Sequence, residues 1–208
     1  LANGIDGWFS HAYHHVPSWL QGPLERSLTG PFQTFSDLWT DITGRSQRLT
    51  GGESRERSGA YPVVIPYRLI NMYSVYGDTV FDPFWGTGTT TLAAMAAGRD
   101  SVGKELDEGF KTAFDQRIEE LPAVTDELVG RRLAAHESFV SERRADGKAV
   151  EYQAKNYEFP VMTKQEQPIR FYRVDGIERN ETGYRVDHTP LGVDWRAEIR
   201  FEPGEKTE

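Results

Sequence analysis

Asp82 and Glu105 bracket a stretch whose residue types suit the binding of a nucleoside-like ligand. Between them runs Pro83-Phe84-Trp85-Gly86-Thr87-Gly88-Thr89-Thr90, with two glycines spaced G-x-G. Neither glycine presents a Cβ, so the backbone there can approach a ligand closely. Thr91-Leu92-Ala93-Ala94-Met95-Ala96-Ala97 is strongly helix-forming, and Gly98 stands where a helix commonly stops. A helix starting after Gly88 offers free N–H groups and the positive end of its dipole to an anionic group such as a carboxylate. Glu105 follows the loop at roughly the 20-residue distance at which nucleotide folds set a carboxylate on a ribose diol. The phosphate loop G-x-x-x-x-G-K-[ST] is excluded, because no lysine follows either glycine. The dinucleotide pattern G-x-G-x-x-G fails too, with Thr at position 91.

Such a loop needs a strand before it and a helix after it. Strand 79–82, helix 89–97, strand 101–105 and helix 108–118 give a β-α-β-α order, which implies parallel strands. Ligands in such sheets sit beyond the carboxyl ends of the strands, where Asp82 and Glu105 both fall. Upstream, Pro66 to Tyr73 reads as a helix with Leu69, Ile70 and Tyr73 on one face. Phe84 and Trp85 either flank a ligand or close the core.

The run Asp82-Pro83-Phe84, Gly86-Thr87-Gly88-Thr89-Thr90, then Gly98-Arg99 and Gly103-Lys104-Glu105, resembles the cofactor motif of S-adenosylmethionine-dependent DNA amino-methyltransferases. Those enzymes methylate adenine N6 or cytosine N4. Tyr61-Pro62-Val63-Val64-Ile65-Pro66, with Ser74, Gly77 and Asp78, resembles the segment preceding that motif in permuted members, which usually read His-Pro where this chain has Tyr61-Pro62. Phe35-Ser36-Asp37-Leu38-Trp39 is similar to the linker entering it, so the resemblance covers about residues 35–115.

The resemblance implies a partial Rossmann-like α/β sheet with helices on both faces, and the residue pattern after it adds a small antiparallel β appendage. It implies S-adenosyl-L-methionine as cofactor, held by Tyr61, Pro62, Asp82, Pro83, Phe84, Gly86, Gly88, Thr89, Thr90 and Glu105. Asp82 would accept from the methionine amino group, N–H groups around Phe84, Gly86 and Gly88 would receive the carboxylate, and Glu105 would take the ribose hydroxyls. The family grips the extruded base with a [D/N/S]-P-P-[Y/F/W] loop, and residues 1–208 contain none. In the permuted order that loop would precede Leu1, so the chain reads as the carboxyl half of such an enzyme, inactive alone. It would be completed by a missing N-terminal part or another subunit. Two alternatives stand beside this reading. One is a tRNA guanosine N2-methyltransferase, which uses a similar loop but places its tetrapeptide downstream. The other is a non-catalytic S-adenosylmethionine- or partner-binding module.

Four stretches are expected: an irregular connector at 1–58, the cofactor unit at 59–122, a helix at 123–150 and a β-rich region at 151–208. His11 and His15 would share a helix face, but Pro17 follows closely and no carboxylate or cysteine pattern accompanies them. No metal site is therefore expected. Thr43 to Arg57 reads as an exposed mobile loop. Alternation in Trp195-Arg196-Ala197-Glu198-Ile199-Arg200-Phe201 and Ile169-Arg170-Phe171 suggests strands around a turn at Asn180-Glu181-Thr182-Gly183. Phe171, Val174, Trp195, Ile199 and Phe201 would be buried, and Arg170, Arg196 and Arg200 would line the outer face.

The 208 residues contain no cysteine, which excludes disulfides and thiolate metal sites. No apolar stretch of about 18 residues occurs, so a cytoplasmic location without membrane contact is expected. A net charge of −8 argues against strong DNA binding by this chain alone, although Arg131-Arg132 and Arg143-Arg144 offer local phosphate contacts.

Overall fold

The computed structural model describes residues 61–201 together with Ala12, Tyr13, Trp39 and Ile42. Strand β1 is Ala12–Tyr13. Then come helix α1 (Val64–Tyr73), strand β2 (Thr79–Asp82), helix α2 (Thr89–Ala96), strand β3 (Asp100–Gly103) and helix α3 (Glu108–Arg117). A 3-10 turn over Ile118–Glu120 leads α3 into the 25-residue α4, Leu121–Ala145. Short strands β4 (Tyr152–Gln153) and β5 (Pro160–Val161) pair antiparallel. A long hairpin of β6 (Tyr172–Arg179) and β7 (Tyr184–Pro190) precedes the one-turn helix α5, Trp195–Glu198.

Strands β2 and β3 are parallel, in register from Thr79 opposite Asp100 to Asp82 opposite Gly103, with α2 as their crossover. The class is α/β, as the residue pattern implied. Helix α2 is buried at every residue but Thr90, with Ala93, Ala94 and Met95 wholly inaccessible. A helix buried on nearly every face is central, and its small side chains let α1 and α4 pack against it. Arg99, at the turn that follows, is also buried. Its Nε donates to Ser74 Oγ at 3.0 Å and its Nη2 to Ser74 O at 2.8 Å, while the guanidinium lies 4.9 Å from the Tyr76 ring centre. That arginine ties the end of α1 to the entry into β3.

One core joins Tyr67, Ile70, Trp85, Leu92, Phe114, Ile118 and Leu121 to Val174, Tyr184 and Val186 of the hairpin. A second gathers Val129 and Leu133 of α4 around Tyr157, Phe159, Val161, Ile169, Phe171, Trp195 and Ile199. The turn at Asn180–Gly183 is where the sequence suggested, closed by Asn180 Oδ1, which accepts from the N–H groups of Thr182 and Gly183.

Three details depart from expectation. Helix α1 buries Pro66, Tyr67, Ile70 and Asn71, while Leu69 and Tyr73 are exposed. Tyr67 turns inward because Arg132 Nη1 donates to its hydroxyl at 3.2 Å. Leu69 and Tyr73 instead line, with Tyr61, Ile65 and Val80, an open apolar groove of about 680 Å³. Residues 195–198 are helical, not extended. Trp195 and Ile199 are buried at i and i+4 and Ala197 is exposed, so the apparent alternation was a helical spacing. Arg170, Arg196 and Arg200 consequently share no sheet face. Arg170 donates to Asn156 Oδ1 at 2.5 Å, Arg196 pairs with Glu137, and the backbone N–H of Arg200 meets Asp126. Arg132 is likewise buried and removed from any phosphate, and Arg131 pairs with Glu127.

Among the described residues no helix is long and apolar enough to cross a membrane, and no acidic or histidine cluster could hold a metal ion. His11, His15 and the loop Thr43 to Arg57 lie outside the described residues.

Candidate functional site

Where β2 ends, Asp82 turns its carboxylate onto the loop it begins, and Oδ1 accepts from Phe84 N–H at 3.0 Å. The chain then divides its two aromatic residues. Trp85 goes inward: its N–H donates to Lys104 O at 3.1 Å, and its indole Nε1 donates to Thr91 Oγ1 at 2.7 Å. The indole lies on bare Gly103, where a Cβ would stand 2.1 Å from the ring. Phe84 goes outward and is 88% exposed. Trp85 therefore closes the core, and Phe84 faces outward.

The glycines differ in the same way. Both adopt left-handed backbone, Gly86 with φ +51° and Gly88 with φ +73°. A Cβ on Gly88 would collide with the Phe114 ring at 2.3 Å, so Gly88 is required by packing behind the loop. Gly86 is open at its Cβ position, with only Phe84 O within 4 Å, at 3.9 Å. The Cβ direction is thus open at Gly86 and filled at Gly88. Gly88 also caps α2, whose first turn carries no acidic residue. The initial N–H groups of the helix lack intrahelical acceptors, and no acidic side chain of its first turn offsets the positive end of the dipole.

Glu105 reaches back to the same loop. Its Oε2 accepts from Gly86 N–H at 2.7 Å, and Oε1 accepts from Leu106 and Asp107 N–H at 2.8 and 3.1 Å. A carboxylate offers about four acceptor directions, so the acid expected to meet a diol is also a clamp on its own loop. Asp82 and Glu105 converge on backbone groups two residues apart. Asp107 begins α3, its Oδ1 accepting from Gly109 N–H at 2.9 Å. Leu106 beside it is 77% exposed.

The remaining candidates are distributed around this centre. The Tyr61 hydroxyl and Thr90 Oγ1 lie 2.6 Å apart at the mouth of the apolar groove, joining the segment before α1 to the first turn of α2. Pro62 O accepts from Ile65 N–H at 3.0 Å and starts α1. Pro83 is exposed in the turn, whereas Thr89 is buried and faces backward. Sequence reasoning passed over Arg117, whose Nη1 donates to Thr87 O, Thr87 Oγ1 and Thr89 Oγ1 at 2.8, 3.0 and 3.1 Å. Burial lowers the pKa of its guanidinium, with Glu120 acting in opposition. Its signal in the sequence was only its place one turn after Phe114 on the same helix.

Residues 17–116 match the family model described as DNA methylase. Type II methyltransferase M.MthZI of Methanothermobacter thermautotrophicus is 52% identical over 140 residues, which is 67% of this chain and 38% of that protein. M.MjaI of Methanocaldococcus jannaschii is 44% identical over 84 residues, 40% of this chain and 27% of that protein. A Thermus thermophilus protein described as a DNA modification methylase, solved with S-adenosyl-L-methionine, is 32% identical over 43% of this chain and 31% of its own, with a TM-score of 0.35. The chain thus spans 38% and 27% of the length of the two curated relatives.

Proposed function

We propose that this chain, whose residues 17–116 match the family model described as DNA methylase, binds S-adenosyl-L-methionine in the loop between Asp82 and Glu105. It serves as the cofactor-binding portion of an enzyme that methylates the exocyclic amine of adenine or cytosine in DNA. The observation that carries the reading is the convergence of both carboxylates on the Phe84–Gly86 backbone, beyond the carboxyl ends of two parallel strands. Beside it stands a helix start with no acid of its own.

Each residue has a physical task in that reading. The N–H groups at the start of α2 receive the carboxylate of the methionine moiety, and Asp82 accepts from its ammonium group. Glu105 exchanges part of its backbone contacts for the ribose hydroxyls. Exposed Phe84 and Leu106 supply the apolar faces that an adenine ring needs. When bound, the cofactor supplies a methyl group activated by its sulfonium. The residues named here fix where that methyl points, and orientation is the larger part of catalysis in such transfers. In the resembling family the target base is gripped and its amine accepted from by a [D/N/S]-P-P-[Y/F/W] loop, which residues 1–208 do not contain. We assign that role to a further stretch of polypeptide, in cis or in trans. Duplex DNA is the substrate of the completed enzyme, and the net charge of −8 leaves this chain a weak DNA binder alone.

Calorimetric titration of the chain with S-adenosylhomocysteine tests the proposal. Saturable one-to-one binding is expected, with competition by S-adenosylmethionine and none by NAD. Absence of binding at millimolar ligand would sink it.

A further inference from the structure

Helix α3 stands directly behind the glycine loop and meets it at two places one turn apart. Phe114 occupies the space that a Cβ on Gly88 would need. Arg117 then reaches three oxygens flanking Gly88: the Thr87 carbonyl at 2.8 Å, the Thr87 hydroxyl at 3.0 Å and the Thr89 hydroxyl at 3.1 Å, all through Nη1. Both threonines are 4% exposed, so water cannot readily replace those contacts. A planar guanidinium holds several acceptors in one fixed geometry, which an ammonium on a flexible stem does not. One side chain thereby holds the peptide before Gly88 and the threonine side chains on either side of it, around a residue held at φ +73°. Those anchors set where the first N–H groups of α2 point.

Helix α3 is itself braced from the other side. Tyr184 on β7 donates to Asp115 Oδ1 at 2.5 Å, and Arg179 on β6 pairs with Asp115 Oδ2 at 3.0 Å. The Phe114 ring lies between Trp85 and Tyr184, with centroids 4.7 and 5.8 Å away. An aromatic row therefore runs from the hairpin through α3 into the loop.

We infer that Arg117 is a positioning residue for the methyl donor, and that the β6–β7 hairpin acts on the cofactor loop through α3. This rests on the loop being the S-adenosylmethionine site. Arg117 does not touch the ligand. It fixes the backbone that does, and in a reaction governed by orientation a displacement of about 1 Å costs about 100-fold in rate.

The test uses the whole chain with Arg117→Met, Arg117→Lys and, as a control in the second core, Phe159→Leu. Three quantities are measured: amide hydrogen exchange of residues 84–90 without ligand, the Kd for S-adenosylhomocysteine, and the melting temperature. Arg117→Met is expected to speed exchange at Gly86 to Thr90 at least tenfold and to raise Kd at least tenfold. Arg117→Lys should recover part of both, while Phe159→Leu lowers the melting temperature with Kd unchanged. Wild-type exchange and affinity in Arg117→Met would overturn the inference, as would a Kd that merely follows melting temperature across all three variants. If Arg117→Met does not fold, the intermediate affinity of Arg117→Lys carries the test. Failure of the wild type to bind S-adenosylhomocysteine counts against the cofactor reading, and exchange in the ligand-free protein still decides the role of Arg117.

Discussion

Replacing Glu105 by alanine separates its two roles. In the ligand-free protein the substitution removes three acceptor contacts, to the N–H groups of Gly86, Leu106 and Asp107. The bonds to Leu106 and Asp107 lie at an exposed edge, where water takes over. The Gly86 bond is partly buried, and a hydrogen bond to a charged acceptor contributes about 1.5–3 kcal/mol. The expected loss of stability is thus about 2 kcal/mol, or about 4–8 °C in melting temperature for a chain of this size. Ligand binding adds a separate loss. Two ribose hydroxyls that no longer meet a carboxylate forfeit about 2–4 kcal/mol together, which is about 30- to 1,000-fold in Kd. The assay is calorimetric titration with S-adenosylhomocysteine and with its 2′-deoxy analogue. Wild type should distinguish the two, and Glu105→Ala should bind both weakly and alike. A variant that melts lower by the expected amount yet binds S-adenosylhomocysteine within about twofold of wild type would reduce Glu105 to a loop clamp.

Two further outcomes follow from the same geometry. Gly103→Ala sets a Cβ into the Trp85 ring and should cost about 3 kcal/mol or more in urea unfolding; Gly86→Ala meets open space and should cost only about 1–2 kcal/mol for its left-handed backbone while weakening ligand binding. Equal losses at the two glycines would contradict the division between a packed and an open glycine. Burial pulls the pKa values of His136 and His188 below the ordinary histidine value. The unfolded chain therefore takes up protons that the folded one resists, so their contribution is whole above about pH 6.5 and is lost as pH falls through the folded-state pKa values. Urea midpoints should decline from pH 7.5 to 5, and that slope should shrink in a His136→Gln, His188→Gln double variant.

The loop and its flanking elements could be read from the sequence because each carries its own local signal. Helix-forming alanines, a G-x-G turn and a helix stop at Gly98 need no distant partner to specify them. Strand β2 began and ended where its residues indicated, and α2 and β3 did so within one or two positions. Contacts that depend on distant chain were hidden. Tyr67 rather than Tyr73 faces inward because of Arg132, 65 residues later. Arg117 looked like any surface arginine until the fold brought Thr87 and Thr89, 30 and 28 residues away, against it. The segment at 195–199 shows a different failure. Positions i and i+4 satisfy both a two-residue and a helical period, and only the exposure of Ala197 separates them.

Strand β2 hydrogen-bonds to β3 along one side, and among the described residues no strand lies along the other. Phe81 upon it is 60% exposed, and Val80 opens onto the apolar groove. An exposed phenylalanine beside an open apolar groove is an adhesive surface. At high concentration the protein is therefore inclined to clump there, and a lysine in place of Phe81 is the natural remedy for anyone preparing it.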